Sequence, residues 1–158
     1  MTWARGRAEI QKLIDGRELE LVEASIVVAD RLLHDAEAHV GLAAKGIDDD
    51  PAGVLQLSYD AARKASAALL AVQGLRATTR GGHIAVVDAV RFQFNDKGGL
   101  PVFGKINRLR RRRNSTEYPS ADSPGVTTEE AEQALTVARE TIDAAKQLLG
   151  TGRLDEFA

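Results

Sequence analysis

Apolar residues recur at steps of three and four along most of this chain, the period of a helix that buries one face. The clearest stretch opens at Asp50-Pro51 and carries Val54, Leu57, Ala61, Ala65, Ala68 and Val72 on one stripe. Asp50 has the chemistry of an N-cap, and Pro51 fits the first helical position, where a missing N–H is no loss. The stripe stops at Gly74, and Leu75 behind it fits a left-handed C-terminal cap. Upstream, Ser25 is placed to cap a helix bearing Ala29, Leu33, Ala36, Val40 and Ala43, which ends near Gly46. Downstream, Thr127 and Glu130 have capping-box spacing ahead of Ala131, Leu135, Ala138, Ile142, Ala145 and Leu149, with Gly150 as the stop.

Weaker signals fill the gaps. A loop through Thr78, Thr79, Arg80, Gly81 and Gly82 leads to a helix from about His83 to Phe94, ended by Asn95-Asp96-Lys97-Gly98-Gly99. Another helix runs from about Pro101 towards Tyr118, and Pro119 and Pro124 then bracket an exposed loop over residues 119–126. At the N-terminus Trp3, Ile10, Leu13 and Ile14 have loosely helical spacing before Asp15-Gly16. No internal repeat and no sustained heptad appears, so the pattern predicts an all-α antiparallel helical bundle of five to six helices. We read residues 1–158 as one domain with its core over 26–149, an N-terminal extension over 1–24 and a flexible tail over 153–158.

Composition narrows the chemistry. With 158 residues and 44% hydrophobic content the chain closes one core, and an aromatic share of 4% means that small and aliphatic side chains build it. The absence of cysteine excludes a disulfide framework, a thiolate zinc site and a thiol nucleophile, and points to a reducing compartment. No apolar run follows the basic residues Arg5 and Arg7, and no stretch approaches the ~20 apolar residues of a membrane crossing, so a cytoplasmic location is expected. His34 and His39 fall about 140° apart on their helix and form no paired metal site. No phosphate loop, dinucleotide fingerprint or H-E-x-x-H occurs, and no cofactor or metal is expected.

The formal net charge of -2 conceals an uneven distribution, because Arg108, Arg110, Arg111, Arg112 and Arg113 lie within six positions. Wound at 100° per residue, Val102, Ile106 and Leu109 define an apolar stripe on which Arg113 also falls. Arg113 is therefore expected to point inward, with Glu117 one turn on as its nearest partner. Arg111 lies opposite, and Arg110 and Arg112 flank the stripe. So many guanidinium groups repel one another unless an anion meets them, which makes RNA or another polyanion the expected ligand of the patch.

Arg113-Asn114-Ser115-Thr116-Glu117-Tyr118 resembles the signature of the HEPN family, an arginine, a polar residue and, four to six positions on, a histidine. Tyr118 stands in the histidine's place. Tyr59-Asp60-Ala61-Ala62-Arg63-Lys64-Ala65 through Leu69-Leu70 and Gly74 is similar to the family's second conserved helix, and Gly82-His83 to the Gly-His that often follows it. The resemblance spans roughly residues 26–149. It implies a helical homodimer in which two such segments face each other, and often a metal-independent RNase of toxin–antitoxin, CRISPR or phage-defence systems. Carried over, it makes Arg113 the residue that steadies charge on the phosphate, Asn114 the one that orients it, and Glu117 and His83 supporting residues. A phenol of pKa ~10 is ionised only about one part in a thousand at pH 7, so Tyr118 replaces a base poorly, and weak or absent cleavage is expected. The alternative is a non-catalytic dimeric module that binds a nucleotidyltransferase, toxin or antitoxin partner through the arginines.

Overall fold

The computed structural model describes residues 5–96 and 99–157. Trp3, placed on the first helix by its spacing, and Lys97-Gly98 of the expected helix stop lie outside the described residues. Among those described the chain is 69% helix. In order come α1 (Arg7–Asp15), β1 (Leu19–Leu21), α2 (Ile26–Lys45), α3 (Pro51–Val72), β2 (Leu75–Ala77), α4 (Gly82–Val90), a π-helical turn (Arg91–Asp96), α5 (Val102–Glu117) and α6 (Thr128–Gly150).

The caps act as their residue types dictate. Ser25 accepts from the N–H of Val28, Asp50 from Gly53 and Thr127 from Glu130, each satisfying a donor that the first turn leaves free. Gly74 adopts φ 72°, and Leu75 behind it is buried. The central helix is α3, against which α2 and α6 pack most extensively. Its alanines explain the closeness: Ala61, Ala62, Ala65 and Ala68 are fully buried, and a methyl group lets neighbouring backbones approach where a larger side chain holds them apart.

Two strands were not expected. β1 and β2 form an antiparallel pair, with Leu19 opposite Ala77, Glu20 opposite Arg76 and Leu21 opposite Leu75. Three residues are too few for a visible alternation, and the pairing joins segments more than 50 positions apart. The sheet has a consequence for α4. Thr78 donates to the carbonyl of Arg17 at 2.6 Å, and Gly81 sits so tightly against the residue that leads into β1 that a Cβ there would lie 2.1 Å from the Glu18 carbonyl oxygen. Only glycine fits, and this contact fixes where α4 begins.

The ends of the chain also differ from expectation. Ile10 and Leu13 of α1 are buried in the main core cluster, so the N-terminal extension is part of the packed structure. The segment after Gly152, expected to be flexible, docks: Phe157 is buried, donates its N–H to the carbonyl of Gln73 at 2.9 Å, and accepts from Arg7 at 3.2 Å. The Arg7 guanidinium lies 4.4 Å from the Phe157 ring centroid. One aromatic residue in a short polar stretch has no period by which to announce burial. Beside it, Gln73 and Gln93 exchange two amide hydrogen bonds, at 2.7 and 3.2 Å, in a buried pair that ties the end of α3 to the π turn.

Candidate nucleic-acid interface

Three helices converge on a cleft of about 360 Å³, to which α3 brings Gly53, Gln56, Tyr59 and Asp60, α4 brings His83, and α5 brings Arg113. The Tyr59 ring is its wall. The ring centroid lies 5.7 Å from that of His83 and 5.9 Å from the Arg113 guanidinium carbon. His83 reaches this place because the Gly81 contact anchors the start of α4. Arg113 reaches it because it follows Leu109 by one turn on the stripe that packs α5 down.

The electrostatics are set by burial and by a surplus of cations. Tyr59 is 1% exposed and its hydroxyl has no hydrogen-bond partner among the described residues. Burial pushes its pKa up to about 12, against the opposing pull of Arg63, Arg110 and Arg113, so the phenol stays protonated. For Asp60, burial works towards a higher pKa but is outweighed by hydrogen bonds and charge from Arg63 and Lys64, which hold the carboxyl below its usual 3.8. Asp60 pairs with Arg63 and lies 3.2 Å from Lys64 and 3.3 Å from His39 on α2. His83 is lowered from 6.5 by burial first and then by Arg63 and Arg113, so its imidazole is neutral at pH 7. Arg63, Arg110 and Arg113 all act on Tyr59 and His83 against Asp60 alone, so the surroundings of the two rings are positive.

The residues singled out in the sequence separate into groups. Arg113 is part-buried at the cleft, not fully inward; it pairs with Glu117 at 2.8 Å, as its spacing predicts, and reaches Asn114 at 3.4 Å. Tyr118 is 83% exposed where α5 ends and lines no part of the cleft. The tyrosine expected in the histidine's place is therefore not beside Tyr59 and Arg113, whereas His83, expected only as support, is. Arg110 is half-buried and binds Asn107 at 3.1 Å, and its charge is felt at Tyr59 and His83. Arg108 and Arg111 are exposed and hold no ion pair among the described residues. Arg112, expected beside the apolar stripe as part of the basic patch, is a clamp. It binds Glu130 at 2.9 Å, Ser115 at 3.2 Å, and the carbonyls of Pro124 and Gly125 at 3.2 Å each, pinning the 119–126 loop to the start of α6.

Tyr59, Asp60 and His39 were not foreseen as site residues. The signal for Asp60 was present, since Arg63 and Lys64 follow it at three and four positions, the spacing of helical ion pairs. For His39, on another helix, no local spacing could have served. Among the described residues no group of three or more histidine or acidic side chains has the arrangement of a metal site. No helix is long and apolar enough to cross a membrane, again among the described residues. Comparison with known proteins returns no matching family model, no matching curated protein and no matching solved structure.

Proposed function

We propose that the chain is an RNA-associated protein of HEPN type, from a bacterial toxin–antitoxin, defence or regulatory system, which seats RNA phosphates in the α3/α4/α5 cleft and cleaves them weakly or not at all. The observation that carries this reading is the meeting of Arg113 and His83 over Tyr59 in a cleft whose two rings feel three arginines against one aspartate. Arg113 keeps N–H donors beyond those used by Glu117 and Asn114, enough to take a phosphate oxygen. The exposed His83 ring can stack on an unpaired base, which single-stranded RNA supplies and duplexes withhold. Arg108 and Arg111 extend the charge along α5 and add attraction without sequence preference.

Catalysis is the weaker part. Tyr118 stands away from the cleft, so the base that the resemblance calls for is missing from its usual place. His83, neutral at pH 7, has the protonation state of a base, and any residual metal-independent cleavage runs through it.

The test is fluorescence anisotropy with a labelled single-stranded RNA across a salt series. Arg108→Gln/Arg111→Gln is expected to reduce the slope of log affinity against log salt by about 1.4, from ~0.7 for each lost phosphate contact. Arg113→Ala is expected to weaken binding at every salt concentration. Affinity that ignores both changes refutes the reading. Cleavage, where seen, is lost in His83→Ala and kept in Tyr118→Phe; the reverse result makes the tyrosine the catalytic group.

A second reading, a non-catalytic module for an acidic protein partner, draws on a different observation. Arg108, which holds no ion pair among the described residues, rims a groove of about 320 Å³ together with Lys105, paired with Glu140, and Arg112, paired with Glu130, and its floor of Leu55, Leu109, Ala134 and Val137 is aliphatic. Such a floor suits an apolar side chain better than a base, which needs an aromatic face on which to stack.

A further inference from the structure

A helix leaves its last carbonyls without partners, and at the end of α3 one partner comes from a segment more than 80 positions away. The carbonyl of Gln73, the residue that caps α3, accepts from the N–H of Phe157 at 2.9 Å. That acceptor is held in place, because the Gln73 side chain is locked to Gln93 by the buried amide pair. From the other side Arg7 of α1 donates to the carbonyl of Phe157 at 3.2 Å and lays its guanidinium 4.4 Å from the ring centroid. Phe157 is 4% exposed, and Leu154, three positions earlier, packs on the main core. Residues 151–157 nevertheless form no helix or strand. Thr151, Gly152 and Arg153 are exposed, and Gly152 turns the chain at φ 62° with nothing within 4 Å of where a Cβ would stand. The docked segment is thus joined to α6 by an exposed glycine hinge.

We infer that the socket framed by Arg7, Gln73 and Gln93 is a peptide-binding site, filled in cis by residues 154–157, and that its ligand in trans is an extended segment of the pattern Leu-x-x-Phe. Three properties of the contact carry this. Both main-chain groups of Phe157 are bonded, its N–H to Gln73 and its carbonyl to Arg7, which is how a site reads an extended peptide. One aromatic side chain is the anchor, fully desolvated in a socket, the arrangement in which a single residue supplies most of the binding energy. Asp155 and Glu156 hold no ion pair among the described residues, so the two apolar positions set the pattern. None of these contacts needs the covalent link to α6, since a free segment with the same residues presents the same N–H, carbonyl, ring and leucine. The tail in cis is then a built-in competitor, which keeps the socket closed to weak ligands. Arg7, Gln73 and Gln93 line no part of the α3/α4/α5 cleft, and the inference holds whether or not the chain binds RNA.

Titration calorimetry of the full chain with a peptide of residues 152–157, acetylated and amidated, decides it. Phe157→Ala vacates the aromatic position and is expected to bind this peptide at least ~10-fold more tightly than the wild type, whose own tail competes at an effective concentration of about 1 mM. In that background Arg7→Gln is expected to weaken binding about tenfold, through loss of the ring contact and of the bond to the carbonyl. A peptide carrying Phe157→Ala is expected not to bind. Hydrogen exchange gives a second readout on the unaltered chain: the Phe157 N–H is expected to exchange at least ~100-fold faster than the amides at the middle of α3, because the tail opens without unfolding of the bundle. A Phe157→Ala chain that is folded by circular dichroism and ignores the peptide overturns the inference. So does a Phe157→Ala chain that cannot fold, and so does a Phe157 amide as protected as those of α3, since either makes the tail an integral part of the core.

Discussion

Replacing Tyr59 by phenylalanine is expected to make the protein more stable, although it removes a polar atom from the wall of the candidate cleft. The hydroxyl is closed off from water and has no partner among the described residues, so folding strips its hydration without compensation. An unpaired buried hydroxyl costs about 1–3 kcal/mol. The void left by one oxygen is smaller than a methyl group and costs less than ~1 kcal/mol. A net gain of about 1 kcal/mol remains, a rise in Tm of roughly 2–4 °C for a chain of this length. Urea denaturation reads it as a higher midpoint at unchanged slope. The same substitution changes the alkaline limb. The unfolded chain releases the phenolic proton from pH 10, the folded chain only near 12, so the wild type loses stability as pH rises through that window. The loss amounts to roughly 3 kcal/mol across two pH units and is absent from Tyr59→Phe. RNA affinity is expected to change less than twofold, because the hydroxyl itself is closed to any ligand and the ring is retained. A Tyr59→Phe variant destabilised by 1 kcal/mol or more would show that the hydroxyl has a partner and would refute the reasoning.

Two further outcomes concern groups whose role emerged in the folded chain. Arg112→Gln breaks the bonds to Glu130, Pro124 and Gly125, and is expected to expose the 119–126 loop to limited proteolysis at least several-fold faster, with about 1–2 kcal/mol lost in denaturation. Gln93→Leu leaves the buried Gln73 amide without its side-chain partner and is expected to cost about 2–3 kcal/mol, whereas Gln73→Leu/Gln93→Leu costs less than the sum of the single changes; strict additivity in that cycle would mean that the two amides do not act as a pair.

Much of the helical framework was legible before folding because its signals are local. Ser25, Asp50-Pro51 and Thr127 cap the helices that follow them, and a cap acts within four residues of itself. The Arg113–Glu117 pair was legible for the same reason, as one turn of helix separates its members. Local spacing could not say which residue would stand beside Arg113. Tyr118 is five positions away along the chain, yet it lies exposed at the end of α5, while His83, thirty positions upstream, enters the cleft. That choice depends on the Gly81 approach to Glu18, and so on a pairing of β1 with β2 that no short-range pattern encodes. Arg112 makes the same point from the opposite side. In sequence it is one more arginine of a basic run beside the apolar stripe, and it becomes a clamp only once the 119–126 loop and Glu130 fold back onto it. Hydrophobic period and capping chemistry, acting over a few residues, determined the helices. Contacts between residues far apart in the chain, which form only when those helices pack, decided which side chains share a site.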